Sequence, residues 1–251
     1  MNEVIAIYKQ KGETPLHALD KLRIRHPKYA NEKLSYAGRL DPLAEGVLLV
    51  LVGEANKERG KYINLEKNYV SKILLGVSTD THDVLGIIKD INPIDVDERI
   101  FSEKINSFIG SFSQKYPNFS SKTIGGTALH ELTRKEISFE TPSHIVELKE
   151  LRKIKKENIY GEQLLLNARK LISLIVGDFR QEEILKSWNN AFLNKEITNS
   201  KFNLFEIELE VSSGFYVRQF AYDLGEKLGV PALAFSIVRT KVGKWGILDC
   251  I

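Results

Sequence analysis

Apolar and polar positions along the chain fall into short blocks that read as strands and helices in an irregular order. Val4-Ile5-Ala6-Ile7-Tyr8 is an apolar run closed by Lys9 and then Gly12, which predicts a strand. Thr14-Pro15 follows as a helix start, with Thr14 at the N-cap and Pro15 at the first helical position, and the helix should run to about Arg25. Val47–Val52 is continuously apolar and ends at Gly53, the pattern of a buried strand. Asn68–Leu75 alternates polar and apolar up to Gly76, which predicts a half-buried strand. Residues 96–110 predict a helix with Ile100, Ile105, Phe108 and Ile109 as its apolar positions. Residues 145–156 and 202–211 predict a further strand pair, the second placing Leu204, Ile207, Leu209 and Val211 among Glu206, Glu208 and Glu210. Strands mixed with helices in no regular repeat point to an α+β fold.

A tight hairpin between those last two strands would need only a few residues. Residues 157–201 are instead helical in pattern. Gln163–Val176 stops at Gly177, and Glu182–Leu193 carries Ile184, Leu185, Trp188, Ala191 and Phe192 on one face. The expectation is a helical hairpin inserted into one catalytic domain that spans residues 1–251. Its basic residues (Arg169, Lys170, Arg180, Lys186, Lys195, Lys201) are matched by Glu157, Glu162, Asp178, Glu182, Glu183 and Glu196. A neutral hairpin with an aromatic face should pack on protein rather than follow a phosphate backbone.

Composition narrows the class. The chain of 251 residues is 43% apolar and 27% charged, which is ordinary for a globular protein and too ordered a mixture for wholesale disorder. Lys and Arg number 36 against 33 Asp and Glu, a net charge of +3, so a nucleic acid would have to be held by a local stripe rather than by the whole field. The one cysteine, Cys250, excludes an internal disulfide framework and a cysteine metal cage. No run approaches the ~18 apolar residues of a membrane span. The opening MNEVIAIYKQKGETP lacks the order of a secretory signal, so the expected location is the cytoplasm.

The most informative stretch is Tyr36-Ala-Gly-Arg-Leu-Asp-Pro-Leu-Ala-Glu-Gly-Val47, a loop punctuated by Gly38, Pro42 and Gly46 that runs straight into the apolar strand. An isolated Asp-Pro most often starts a turn. In this context the stretch resembles the catalytic loop of pseudouridine synthases of the TruB type, the branch that modifies the T-loop uridine of tRNA. Further segments are similar in the same order: Tyr8–Thr14, Gly53–Lys57, Lys67-Asn68-Tyr69, Gly76–Asp83 with its Thr79-Asp80-Thr81, Phe119–Arg134, and Ser213–Arg218 followed by Asp223-Leu-Gly.

The resemblance implies a pseudouridine synthase fold, with a mixed, mostly antiparallel central sheet flanked by helices, and an isomerase that flips uridine out of RNA. It implies that Asp41 is the essential carboxylate, acting as nucleophile or as electrostatic partner of the sugar. Arg218 would pair with it, and Tyr69 would stack on the base and take the C5 proton. Tyr216, Ile237 and Arg239 fall at further pocket positions, and Lys9 and Lys57 at positions that contact phosphate or hold the loop. Taken singly, these residues read as ordinary core or surface. Tyr36 stands where many bacterial members carry histidine, and Gln10 replaces the family proline. Fuller members continue into a C-terminal RNA-binding (PUA) domain, for which the stretch after Lys244–Leu248 leaves no room. The expected partner is tRNA through its T stem-loop, with the protein a monomer and with no cofactor or metal implied. Arg39-Leu40-Asp41 is similar to the branch that modifies ribosomal RNA, so rRNA or several RNAs stay open as substrates, as does a catalytically silent RNA-binding protein. The basic run Lys149, Arg152, Lys153, Lys155 and Lys156 fits phosphate contact or a solvated sheet edge equally well.

Overall fold

A computed structural model describes residues 1–251. The chain opens with strand β1 (Asn2–Lys9), helix α1 (Pro15–Arg25), β2 (Leu34–Ala37) and β3 (Glu45–Gly53). The side chain of Thr14 accepts the N–H of His17 and Pro15 opens α1, as the sequence predicts. Helix α2 (Arg59–Ile63) leads to β4 (Lys67–Leu75), a small hairpin β5 (Val77–Thr79) and β6 (Ile88–Ile91), α3 (Glu98–Asn106) and β7 (Gly110–Lys115). Two short strands, β8 (Thr123–Ile124) and β9 (Thr127–Ala128), precede α4 (Leu129–Arg134) and the long β10 (Ser143–Tyr160). The helical segment α5 (Gly161–Ser173), α6 (Gln181–Ala191) and α7 (Lys195–Asn199) returns the chain to β11 (Lys201–Val211), α8 (Val217–Leu228), β12 (Ala232–Val242) and β13 (Trp245–Gly246).

The main sheet runs β1-β3-β12-β4-β11-β10-β7, with β2 added to β3 and β13 to β12. All pairings are antiparallel except β3 with β12, where Glu45 and Gly46 lie beside Val238 and Arg239. This α+β, mostly antiparallel sheet is the architecture the sequence implied. The parallel junction demands glycine: at φ +111°, a Cβ on Gly46 would stand 2.2 Å from the carbonyl oxygen of Arg239. It also places the start of β3, and the loop before it, against the middle of the sheet.

Two packing faces explain where the pattern misleads. Tyr69, Ile73 and Leu75 of β4 enter the larger core beneath α1, α3 and α8, while Leu74 enters a second core built with the inserted helices. Strand β4 is therefore buried on both sides, not half-buried. Helix α3 turns Phe101 and Ile105 inward, with Phe101 stacked on Phe205 of β11 at 3.6 Å between ring centroids, and leaves Ile100 exposed; it ends before Ile109, which the sequence placed on it and which is also exposed. Strands β10 and β11 stay paired out to Tyr160 and Lys201, so the inserted helices begin at Gly161, and α7 is a third helix absent from the sequence reading. The basic run on β10 is neutralised in place: Lys149 pairs with Glu66, Arg152 with Glu150 and Glu210, Lys153 with Glu206, Lys155 with Glu157 and Lys156 with Asp95.

Trp188 of α6 is fully buried and its Nε1 donates to the carbonyl of Gly86 at 3.1 Å. Trp188→Ala should cost about 3–5 kcal/mol of stability in urea unfolding, as for other large core truncations. A loss below about 1 kcal/mol would show that the inserted helices are not part of the core.

Candidate active site

The loop 38–44 enters the sheet at the parallel junction, and buried cations hold it there. The Nζ of Lys9, at the end of β1, donates to the carbonyls of Gln10 (3.0 Å), Pro42 (3.3 Å) and Ala44 (2.6 Å). Arg239 on β12 spreads its guanidinium over the carbonyls of Val47 (2.7 Å), Gly38 (3.0 Å) and Arg39 (3.2 Å). Gly12 N–H adds a bond to Pro42 O at 2.9 Å. Lys67 at the start of β4 donates to the carbonyls of Ile63 and Leu65. Burial pulls Lys9 down to about 8, and burial together with the neighbouring Arg239 does the same to Lys67.

Out of this loop Asp41 projects its carboxylate towards Arg218, in the first turn of α8. Arg218 Nε meets Oδ2 at 2.7 Å and Nη2 meets Oδ1 at 3.1 Å, a two-bond fork in which the arginine is 4% exposed and Asp41 32%. Nη1 donates to Thr81 O at 2.8 Å and Nη2 to Phe119 O at 3.4 Å. A second carboxylate, Asp83, lies 3.8 Å from Nε. Burial opposes the arginine's charge, but Asp41 and Asp83 outweigh it and raise its pKa. Asp83 itself is pushed up to about 6 by burial, against the pull of Arg218 and the hydrogen bonds from Thr81 Oγ1 (2.6 Å) and Leu85 N–H (3.0 Å). The turn before α8 is locked from β7, where Gln114 accepts the N–H of Tyr216 (2.9 Å) and donates to its carbonyl (3.2 Å).

These groups surround a cleft of about 620 Å³, a size that takes a nucleotide. Asp41 lies in its wall with Leu40, Pro42, Tyr69, Phe119, Tyr216 and Ile237. Burial, with Asp41 nearby, pushes the Tyr216 hydroxyl up to about 12. A second cavity of like volume, beside Tyr62 and Trp245, has no such carboxylate–arginine pair.

Of the residues proposed from sequence, Asp41, Arg218, Tyr69, Tyr216, Ile237 and Arg239 meet at this cleft. The roles of four residues are narrowed or corrected. Lys9 is fully buried with its donors on three carbonyls, so it holds the loop and has no reach to substrate. Arg239 lines the cleft but spends its guanidinium on loop carbonyls, which makes it a positioning residue. Lys57 is exposed and paired with Glu54, and it does not line the cleft. Tyr36 is also absent from the lining: its ring packs on the larger core, and its carbonyl accepts from Arg59 Nε at 3.1 Å. Sequence reasoning marked 76–83 as a motif but did not single out Asp83, whose signal was a carboxylate two residues beyond a threonine in a turn.

The chain matches the model for the TruB family pseudouridylate synthase (N terminal domain) over residues 26–168. It is 32% identical over 254 residues to tRNA pseudouridine synthase B of Clostridium tetani, covering 100% of this chain and 71% of that protein. It is 32% identical over 247 residues to the Thermosipho melanesiensis protein of the same name, covering 98% and 65%. The Fusobacterium nucleatum protein of that name is 29% identical, with 98% and 70% covered. The chain thus spans roughly two thirds of the length of these relatives. Among solved structures, a chain of a Cbf5-Nop10-Gar1 complex superposes with a TM-score of 0.57 at 18% identity, covering 97% of this chain and 49% of that one. A chain of an H/ACA RNP bound to a substrate RNA containing 2'-deoxyuridine gives 0.54 at 16% identity, with 97% and 48% covered.

Arg218→Met removes the partner of Asp41 and leaves Asp83 uncompensated. Breaking a buried pair costs about 3–5 kcal/mol, and the partial exposure of Asp41 puts the expected loss near or below the lower bound. Unchanged thermal melting would show that the pair adds nothing to the fold. Asp83 generates a pH signature of its own. Between the ordinary carboxylate value near 4 and about 6, the folded protein keeps a proton that the unfolded chain has released, so stability should fall as pH rises through that window. In a series of melting temperatures against pH, Asp83→Asn should flatten that fall, and an unaltered slope would assign it to other groups.

Proposed function

The chain belongs to the TruB family of pseudouridylate synthases, and we propose that its cleft isomerises uridine to pseudouridine in tRNA, with the uridine of the T stem-loop as the base that enters. The observation that carries this reading is the Asp41–Arg218 fork in the wall of a cleft that combines apolar side chains with several cations. Pure RNA binding needs phosphate-facing cations and gains nothing from a carboxylate held there, which argues against a silent RNA-binding protein. The reaction breaks the N1–C1′ bond, turns the uracil over and joins C5 to C1′. It needs a negative group at the sugar and base, and walls that keep the detached uracil from leaving. Arg218 keeps Asp41 oriented through two bonds, so the carboxylate does not have to reorganise as charge develops. Leu40, Pro42 and Ile237 supply apolar surface, and Tyr69 in the cleft wall supplies a ring for stacking and a hydroxyl that can relay the proton lost from C5 while the released N1 takes one up.

Reaching the cleft requires the uridine to leave its stack, which costs a few kcal/mol that contacts along the backbone offset. Arg39 is exposed at the mouth, and Arg59 and Arg134 line the same cleft. They supply cations where phosphates on either side of the base would pass. The protein acts as a monomer in the cytoplasm in this reading. Every group named in the chemistry comes from one chain, which supports the monomer.

Asp41→Asn should abolish pseudouridine formation in T-arm RNA while leaving RNA affinity within a few-fold, because most affinity comes from phosphates. Mapping of new pseudouridines after incubation with total small RNA is the measurement. Substantial turnover by the variant would remove Asp41 from the chemistry, and modification confined to ribosomal RNA would replace the proposed substrate.

A further inference from the structure

The body of the inserted hairpin packs on the catalytic domain, but its tip does something different. Asp178, Phe179 and Arg180, in the loop joining α5 to α6, line the same cleft as Asp41 and Arg218. The tip is tied to the cleft from two sides. Val176 N–H donates to Gly12 O at 3.0 Å, and a Cβ on Gly12, at φ +91°, would stand 2.4 Å from the carbonyl oxygen of Leu174. On the other side Arg180 Nη1 bonds Asp80 Oδ2 at 3.1 Å, and its guanidinium lies 4.5 Å from the ring centroid of Phe119. Arg180 holds φ +62°, a left-handed backbone that arginine rarely adopts. Strain of that kind persists where surrounding contacts over-determine it, and such places concentrate at ligand sites.

The guanidinium is anchored but not used up. Of its five N–H donors, the structure gives one a protein partner, Asp80, and the side chain is 25% exposed. The deeper cations Lys67, Arg218 and Arg239 have their donors on carbonyls and carboxylates of the protein. The carboxylate of Asp178 accepts the N–H of Arg180 at 3.3 Å. A planar cation laid on an aromatic ring, fixed by one carboxylate and with donors left over at an open cleft, suits a phosphate. A nucleotide turned into the cleft carries phosphates on both sides to its mouth.

We propose that Arg180, at the tip of the inserted helical hairpin, contacts the RNA phosphate beside the flipped uridine and makes the insertion part of the RNA-binding wall. This rests on the uridine reading of the cleft. The test uses the full chain and a T stem-loop RNA hairpin, with binding measured across a salt series. Arg180→Gln should weaken binding about fivefold at low salt and lower the log–log salt slope by about one, the loss of one phosphate contact. Asp80→Asn keeps the charge of Arg180 and should keep the wild-type slope. A wild-type slope in Arg180→Gln would overturn the contact and leave Arg180 as a clamp on Phe119. If Arg180→Gln lowers the melting temperature, Arg180→Lys takes its place. With the charge kept and the fork lost, it should retain the slope but weaken binding, and wild-type affinity would overturn the contact. Pseudouridine formation is assayed on the same RNA. RNA binding by the wild-type protein, with the expected slope change in Arg180→Gln but no pseudouridine, would sink the activity and spare the contact, whereas turnover with no slope change would sink the contact alone.

Discussion

Arg218 carries a charge it cannot lose into a place that water scarcely reaches, and the cleft is arranged around answering that charge. Three segments far apart in sequence supply the answer: the loop with Asp41, the turn with Thr81 and Asp83, and the carbonyl of Phe119. A buried cation missing any of these would lose several kcal/mol of compensation. The order of the strands follows from the same need. Strands β3, β12 and β4 lie side by side, which brings the loop before β3 and the turn between β5 and β6 to α8 packed above them. The two carboxylates do not share the arginine equally. Asp41 takes two short bonds and remains partly open to the cleft, while Asp83 stands back at 3.8 Å with its own hydrogen bonds. One is therefore available to a substrate, and the other serves the arginine.

The loop that carries Asp41 is held in a way that apolar packing could not reproduce. Lys9 and Arg239 aim their donors at loop carbonyls rather than at carboxylates, so each bond has a direction as well as a length. A loop resting only on apolar contacts could slide by a fraction of a bond length at little cost. One resting on four of its own carbonyls, bonded by two buried cations, cannot slide without leaving a charge unanswered. Gly46 completes the constraint, since the approach of Arg239's backbone leaves no space for a side chain there.

The parts of this arrangement legible in the sequence are those with a local signature. A bounded apolar run located β1, period-two alternation located β4 and β11, the Thr-Pro start located α1, and the family resemblance implied that Asp41, Tyr69 and Arg218 share one site. The parts that were not legible depend on contacts between distant segments. A lysine at the end of a strand looks solvated until the carbonyls of residues 42 and 44 close over it, and nothing near Lys9 announces them. The same holds for β4, whose second buried face exists because Leu74 meets helices that begin almost 90 residues later. The basic run of β10 illustrates the converse. Its lysines and arginine were visible, but the carboxylates that pair with them come from β10 itself, from β11 and from the loops with Glu66 and Asp95, and the pairing removes the charge that suggested phosphate.

The insertion is best understood through what α6 holds. Along that one helix and its start, Arg180 bonds Asp80, the hydroxyl of Ser187 accepts Ile88 N–H at 3.0 Å, and Trp188 bonds Gly86 O. All three contacts fall on residues 80–88, the segment that also contains Thr81 and Asp83. A helix anchored near both ends to one turn fixes that turn's position along the helix axis, and the buried ring of Trp188 prevents it from rolling. The carbonyl of Thr81 and the carboxylate of Asp83 then reach Arg218 from a rigid base instead of from a surface turn. The apolar face of the hairpin thus bears on the geometry of Asp41 through one intermediate, Arg218. A change in the packing of Trp188 should therefore be felt at the cleft without any contact between the two.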